Sequence, residues 1–264
     1  MTTTATFPVV LGICLDAEAI WVGKDPAAAT KPCLLSHGTY AILEGLDPLL
    51  ATLERHAAHA TFFVPGLTAE RYPDAVREIA AHGHEIGSHG HGHRSPPLLS
   101  AEEERSELLR GIESLEQITG SRPVTWRSPS WEITERTIPL LLDAGISVST
   151  NFHDRSRPYR HERDDRPIDL VELPVQWHLA DAPYFMYAGI VGRMLMAPSL
   201  VEEIWREEFL GLLERKGCFF HLTLHVQLIG HPGRLRMLDR LLTFMAGHDR
   251  VAFMTSKEAA ATVA

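Results

Sequence analysis

The run Val9-Val10-Leu11-Gly12-Ile13-Cys14-Leu15 contains no charged residue. A strand of this composition is typically buried on both faces, as in the parallel sheets of α/β proteins, where helices cover both sides. The run ends at Asp16-Ala17-Glu18. Because residues two apart on an extended chain point the same way, we expect Asp16 and Glu18 to share one face where the strand ends.

The same unit, a short apolar run followed by polar residues, recurs along the chain. The further candidate strands are 59–66, 84–89, 123–127, 146–150, 170–175, 218–225 and 251–254. Segments with helical caps separate them, for example the capping-box pattern Ser100-Ala101-Glu102-Glu103. Over 264 residues without a break in composition, this alternation predicts one α/β domain, 1–264, with a mostly parallel sheet closed into a barrel.

In such a barrel the carboxyl ends of all strands lie at one rim, where active sites are found. Residues more than two hundred positions apart in the sequence therefore converge there. The segment 21–40 and the mixed-charge stretch at the start of 152–185 are expected to be loops, and we expect these two long insertions, 21–40 and 152–185, to roof this rim.

Three histidines and three glycines share the stretch from Ile86 to Ser95, after the third strand. His89 and His93 can converge on one divalent ion, because neutral imidazole is a common metal ligand. Asp16 and Glu18 on the same rim would add one ligating carboxylate and one free base. A polar turn is the alternative interpretation, since histidine is frequent in this chain, with 15 residues.

Residues after two later strands are further candidates for catalysis. His225 ends the seventh strand and is a candidate general acid that protonates a leaving nitrogen, although a structural histidine is the alternative. Arg127 ends the fourth strand and is a candidate to orient the free carboxylate by a charge-assisted hydrogen bond, with a surface ion pair as the alternative. Aromatic side chains that could line a pocket are Trp131, Trp177, Tyr184 and Phe185.

Composition excludes several classes of protein. The formal net charge of -9 and the lack of a basic block argue against a nucleic-acid partner. The three cysteines are far apart in sequence, which predicts no disulfide framework and a reducing compartment. Because no stretch approaches the ~18 apolar residues of a membrane span, we expect a soluble, cytoplasmic protein without a membrane partner.

Three motifs, in order along the chain, resemble those of the polysaccharide deacetylase (NodB-homology) family. They are His-x-x-x-His at 89–93, Arg-x-Pro-x-Trp at 127–131 and Leu-x-Leu-His at 222–225. The resemblance covers about residues 9 to 254. It implies a distorted (β/α)7-type barrel and a metal-dependent hydrolase.

The resemblance also implies a role for each matching residue. Asp16 would be the base, His89 and His93 the metal ligands, Arg127 the residue that tunes the base, and His225 the acid. The implied cofactor is a divalent metal, with zinc as the first expectation and cobalt, nickel, iron or manganese as alternatives.

The first motif departs from the usual family pattern of two adjacent aspartates, because Ala17 and Glu18 follow Asp16. This Asp-x-Glu form, together with the segments 149–159 and 173–177, is similar to an intracellular branch of the family. That branch includes peptidoglycan-deacetylase-like proteins, cyclic imide hydrolases and metal-independent allantoinases, and its members are often tetramers. The resemblance thus implies Glu18 as the third ligand and a homo-oligomer such as a tetramer.

The family's acid that supports the catalytic histidine has no good match, and Asp154 is the candidate for it. Asp154, Trp131, Trp177 and Tyr184 are the candidate substrate contacts. The predicted activity is hydrolysis of a non-peptide carbon–nitrogen bond, namely deacetylation of an N-acetylated sugar, acting on an oligosaccharide or small molecule. Two alternatives stay open: hydrolysis of a small cyclic imide or ureide in a closed pocket, and a non-catalytic metal- or ligand-binding barrel.

Overall fold

A computed structural model of the chain describes residues 6–187 and 195–263. Its strands form one sheet with the order β6-β7-β5-β4-β3-β2-β1-β8, and β9 also pairs with β1. The strand bounds are β1 Phe7–Cys14, β2 Thr61–Val64, β3 Glu85–Ser88, β4 Thr125–Trp126, β5 Val148–Ser149, β6 Tyr159–Arg163, β7 Arg166–Glu172, β8 Phe220–His225 and β9 Val251–Met254.

Helices connect most of these strands and cover the sheet. Their bounds are α1 Ala19–Val22, α2 Pro32–Tyr40, α3 Leu46–Arg55, α4 Gly66–Arg71, α5 Pro73–Ala81, α6 Ala101–Thr119, α7 Thr137–Asp143, α8 Ala182–Phe185, α9 Pro198–Leu213, α10 Val226–Ile229, α11 Pro232–Ala246 and α12 Ser256–Ala261. None of the helices in residues 6–187 and 195–263 has the length and apolar character needed to cross a membrane.

The predicted α/β fold with a mostly parallel sheet is confirmed. Among the strands of residues 6–187 and 195–263, seven pair in parallel along the path β7-β5-β4-β3-β2-β1-β8, and β6 runs antiparallel to β7. Beyond β7, a parallel bridge joins Ala180 to Thr223 of β8. This bridge joins the segment that follows β7, near one edge of the sheet, to β8 at the opposite edge.

The central strand β1 is buried as its composition predicts. Val9, Val10, Leu11, Ile13 and Cys14 are each at most 2% exposed, and Gly12 between them is also buried. The β1 side chains pack with α3, α9 and α11 in a large apolar core that includes Leu49, Trp205 and Leu238. Burial of apolar surface on this scale is the main force that holds the sheet and its helices together.

Two segments expected to be loops are largely structured, so that part of the prediction is wrong. The segment 21–40 contains the end of α1, a 3-10 turn and α2, and the segment 152–185 contains the β6–β7 hairpin and α8. The hairpin turns at Asp164 and Asp165, which both have positive φ. Aspartate tolerates this left-handed conformation better than most residues, but it gives only a weak turn signal in a run of mixed charges.

Helix α6 packs closely against the Gly/His stretch that follows β3. A Cβ atom added to Gly111 of α6 would lie 2.3 Å from the carbonyl oxygen of Gly90. On the same helix Glu107 accepts hydrogen bonds from the backbone N–H groups of His91 (3.2 Å) and Gly92 (2.7 Å). The helix therefore fixes the backbone of the stretch that carries His89 and His93.

We predict that Gly111→Ala destabilises the protein although alanine favours a helix. Because the new methyl group has no room against the Gly90 backbone, we expect the free energy of unfolding to fall by roughly 1–3 kcal/mol. The matched control is Gly211→Ala in α9, where a Cβ meets nothing within 4 Å. That change is expected to raise stability by up to about 1 kcal/mol. Denaturant titration of both variants measures this, and equal effects would contradict the proposed close packing.

Candidate active site

Four predicted residues from three strand ends meet at the carboxyl edge of the sheet. Asp16 lies beyond β1, His89 and His93 lie beyond β3, and His225 ends β8. Asp16 Oδ1 lies 3.6 Å from His89 Nε2 and 3.7 Å from His93 Nε2, and Asp16 Oδ2 lies 3.9 Å from His225 Nε2. The convergence of these residues follows from the parallel sheet, as the sequence predicts.

The carboxylate of Asp16 has an unusual environment. The residue is fully buried, and within the described part of the chain neither carboxylate oxygen has a hydrogen-bond partner. Burial alone would raise the pKa of Asp16, but the positive charges that His93, His89 and His225 carry when protonated outweigh it and lower the pKa below its ordinary value. A buried carboxylate without a donor is costly unless a cation or proton accompanies it.

The tautomer of His89 is fixed by its second nitrogen. His89 Nδ1 lies 2.8 Å from the carbonyl oxygen of Arg127 and donates to it, which leaves the lone pair on Nε2. Burial lowers the pKa of His89 to about 3 and also lowers that of His93, so both rings are neutral at pH 7. The Nε2 lone pair thus faces a carboxylate oxygen of Asp16, and a cation between them would satisfy both acceptors.

Glu18, the predicted third ligand, does not share a face with Asp16. Ala17 has a φ of 48°, and Glu18 is the N-cap residue of α1 instead of a strand residue. Its Oε1 accepts a hydrogen bond from the hydroxyl of Tyr72 (2.7 Å) and pairs with Arg71 (3.2 Å). The expectation of a shared strand face is therefore wrong, because the chain leaves the extended conformation at Ala17. Both contacts use Oε1 and hold Glu18 toward Tyr72 and Arg71.

His225 is held by an acid that the sequence analysis did not identify. Its Nδ1 donates to Asp181 Oδ1 (2.6 Å), and its backbone N–H donates to Asp181 Oδ2 (2.8 Å). Burial would lower the pKa of His225, but the charge of Asp181 and this hydrogen bond outweigh it and raise the pKa above its ordinary value of 6.5. Asp181 comes next to the bridge at Ala180, so its position depends on tertiary pairing and on no local motif.

Asp154, the candidate for the supporting acid, lies elsewhere. It is exposed, pairs with Arg155 and accepts a hydrogen bond from Tyr159 at 3.3 Å. Asp181, and not Asp154, occupies the position beside His225. Asp154 also does not line the central cavity described below, so the structure gives no support for a substrate contact there.

Arg127 is buried but does not hold the Asp16 carboxylate by a direct hydrogen bond. Its guanidinium donates to Thr150 Oγ1 (2.8 Å) and lies 3.0 Å from His221 Nε2 and 3.7 Å from Cys14 Sγ. It also stacks on the ring of Phe63. Arg127 thus acts on Asp16 through its positive charge, and the thiol that it contacts directly is Cys14.

A cavity of about 440 Å³ lies above the four converging residues. Trp131 and Trp177 line it with ring centroids 4.5 Å apart, and Trp177 is 52% exposed. Apolar side chains of α8 and its neighbourhood form another part of the lining. Tyr184 is directed elsewhere, since its hydroxyl donates to the carbonyl of His178 (3.2 Å). Two of the four predicted substrate contacts therefore face the cavity.

Comparisons with known proteins agree with this architecture. The polysaccharide deacetylase family model matches residues 42–149. The peptidoglycan deacetylase of Helicobacter pylori is 27% identical, over 96% of this chain and 94% of its own. The crystal structure of a Mycobacterium smegmatis protein assigned to the polysaccharide deacetylases is 34% identical, covers 99% of this chain and 91% of its own, and has a TM-score of 0.91. Puue allantoinase has the same fold at 20% identity, with 99% and 91% of the two chains covered and a TM-score of 0.84.

The structure is that of an α/β protein with a mostly parallel sheet and a candidate catalytic centre at the carboxyl edge of that sheet. Its buried carboxylate and imidazoles are suited to metal-assisted hydrolysis. The chain belongs to the polysaccharide deacetylase family. The deacetylases among its relatives hydrolyse amide bonds other than peptide bonds.

We predict that Asp181→Asn lowers the pKa of His225, because it removes the charge that favours the imidazolium. In the wild type the raised pKa stabilises the fold below the ordinary histidine value of 6.5, and this contribution is lost as pH rises through the pKa of the folded state. The difference in free energy of unfolding between wild type and variant is therefore expected to be largest in acid and to narrow in alkali. Nuclear magnetic resonance titration of His225 and denaturant titrations at several pH values measure both effects.

The matched control for this prediction is Asp154→Asn. Asp154 is exposed and does not contact His225, so we expect the His225 titration to stay unchanged. A His225 titration that shifts equally in both variants, or in neither, would contradict the pairing with Asp181.

Proposed function

We propose that the protein is a metal-dependent hydrolase of non-peptide carbon–nitrogen bonds that removes the acetyl group from an N-acetylated sugar. The observation that carries the proposal is the fully buried Asp16 carboxylate, which has no hydrogen-bond partner in the described residues and faces His89 and His93 at 3.6 and 3.7 Å. The family relation to a peptidoglycan deacetylase supports the choice of an acetylated sugar.

Asp16, His89 and His93 are the residues that would hold the ion. One carboxylate oxygen with two neutral imidazoles is a donor set that suits zinc, with cobalt, nickel, iron and manganese as alternatives. A divalent ion bound there would polarise an amide carbonyl and make a water molecule more acidic. The choice of Asp16 in place of Glu18 rests on the contacts that keep Glu18 with Tyr72 and Arg71.

The two oxygens of Asp16 are suited to two tasks. Oδ1 faces the two metal-binding imidazoles, while Oδ2 faces His225. Oδ2 can accept the proton of the attacking water, as a general base, and His225 can donate a proton to the departing nitrogen. Asp181 favours the protonated form of His225 and orients its ring, since it accepts from both Nδ1 and the backbone N–H. The positive charge of Arg127 favours the ionised form of Asp16.

The cavity provides room for one sugar residue above these groups. The exposed ring of Trp177 and the neighbouring Trp131 offer an aromatic wall against which the apolar face of a sugar ring can pack. His153 lies nearly parallel to the Trp177 ring, with centroids 5.8 Å apart, and supports it from outside the cavity lining. We propose Trp131 and Trp177 as the residues that position the substrate.

The second candidate substrate is a small cyclic imide or ureide. A cavity of about 440 Å³ with a largely apolar wall suits a compact ring better than a long polymer. The fold likeness to Puue allantoinase is compatible with this choice but does not decide it. The same groups serve both reactions, because an imide also offers a carbonyl to attack and a nitrogen to protonate.

Cellular location and assembly complete the proposal. The three cysteines are free, which supports a reducing, cytoplasmic compartment. The resemblance of the sequence to a branch with many tetramers supports a homo-oligomer. An oligosaccharide or a small molecule is the proposed partner of the site.

The test of the function measures hydrolysis by protein that has been depleted of metal and reloaded with zinc. We expect acetate release from N-acetylglucosamine oligomers that is lost on depletion and restored by zinc. Opening of succinimide or dihydropyrimidine rings in place of acetate release would establish the second candidate. Failure of zinc-loaded protein to hydrolyse either class would contradict both and identify a non-catalytic binder.

The paired variants Asp16→Asn and Glu18→Gln show which of the two carboxylates binds the metal ion. We predict that Asp16→Asn lowers both zinc affinity and turnover by roughly 100-fold or more, because it removes a ligand and the base. Glu18→Gln is expected to keep bound zinc, since Glu18 contacts Tyr72 and Arg71. Metal analysis after dialysis together with steady-state kinetics checks this. Retention of zinc by Asp16→Asn and its loss in Glu18→Gln would reverse the assignment.

A further inference from the structure

The thiol of Cys14 lies inside the candidate active site and has no role in the mechanism above. Cys14 is the last residue of β1 and pairs in register with Phe63 of β2 and His225 of β8. It lines the cavity with His89, His93 and His225, although it is only 2% exposed. A small buried residue could be core packing alone, so its neighbours decide what it does.

Those neighbours are metal-binding atoms. Cys14 Sγ, a carboxylate oxygen of Asp16 and a ring nitrogen of His89 all lie within 4.8 Å of one another. The second observation is the Asp16 carboxylate, which is completely buried and makes no hydrogen bond of ordinary length among the described residues, although the amide of Gln227 is a nearby donor. One cation could therefore contact Cys14, Asp16 and His89 together, and His93, which lies 3.7 Å from Asp16 Oδ1 but outside this group, could approach it from the other side of the carboxylate.

The charges around the sulfur also suit an ion. Arg127 Nη1 donates to Cys14 Sγ at 3.7 Å, a contact that favours the thiolate. A divalent cation would stabilise the thiolate further, because a coordinating thiol gives up its proton to solvent when it binds.

We propose that Cys14 is a fourth protein ligand of the metal ion, alongside Asp16, His89 and His93. This inference rests on the proposed metal site and adds a sulfur donor to it. Soft thiolate donors favour zinc over hard ions such as manganese or magnesium. Because four protein ligands fill a tetrahedral zinc ion, a catalytic water must join by expansion to five ligands or by displacement of the thiolate.

Cobalt substitution tests this inference by a signal that does not depend on turnover. Co²⁺ bound to a thiolate has a sulfur-to-metal charge-transfer band in the near ultraviolet, whereas its visible bands report any bound ion. We expect both bands in the wild type and loss of only the ultraviolet band in Cys14→Ser. The controls are Cys33→Ser, on the surface, and Cys218→Ser, in the apolar core, which should keep both bands.

Metal affinity provides a second measurement. Loss of a soft ligand in Cys14→Ser is expected to weaken zinc binding by roughly tenfold or more, with little change for manganese. Cys14→Ala, which fills the core position with a small apolar side chain, should behave in the same way if Cys14→Ser does not fold. A near-ultraviolet band that persists in these variants, or a wild-type cobalt protein without it, would overturn the inference.

Hydrolysis measured on the same zinc-loaded proteins separates this inference from the proposed function. A charge-transfer band without turnover would reject the hydrolase and leave the ligand assignment standing. Turnover by a protein whose cobalt form lacks the band would leave the hydrolase standing and reject Cys14 as a ligand.

Discussion

The burial of the Asp16 carboxylate among neutral imidazoles is the interaction on which the site depends. The fold places Asp16 just beyond the buried strand β1, and the residue is completely shielded from solvent. His89 cannot donate to it, because the proton of that ring is used by the carbonyl of Arg127. A site of this kind favours a bound cation, since a cation satisfies the carboxylate and the lone pair that faces it.

A surrounding layer of contacts holds these groups in place. Asp181 fixes His225 through two hydrogen bonds, and Glu107 fixes the backbone before His93 through two more. Arg127 links Thr150 and His221 across the interior. Each of these residues comes from a different element of the fold. The sheet and α6 thus hold the side chains of the site in place before a substrate binds.

The sequence predicts the parts of the site that depend on strand ends, because parallel strands bring those ends together whatever the details of the helices. Asp16, His89, His93 and His225 were predicted for this reason, and the structure brings them together. Glu18 was placed on the wrong face because Ala17 adopts a positive φ, for which alanine gives no sequence signal. Asp181 was missed because only the pairing of Ala180 with β8 brings it to His225.

The most direct test of the central claim is an anomalous-difference map from crystals of the zinc-loaded protein. We expect one strong peak, at the floor of the cavity, that marks a zinc ion bonded to Nε2 of His89, Nε2 of His93 and a carboxylate oxygen of Asp16. A peak bonded to Glu18 in place of Asp16, or no peak in crystals of protein that hydrolyses amides at full rate, would contradict it.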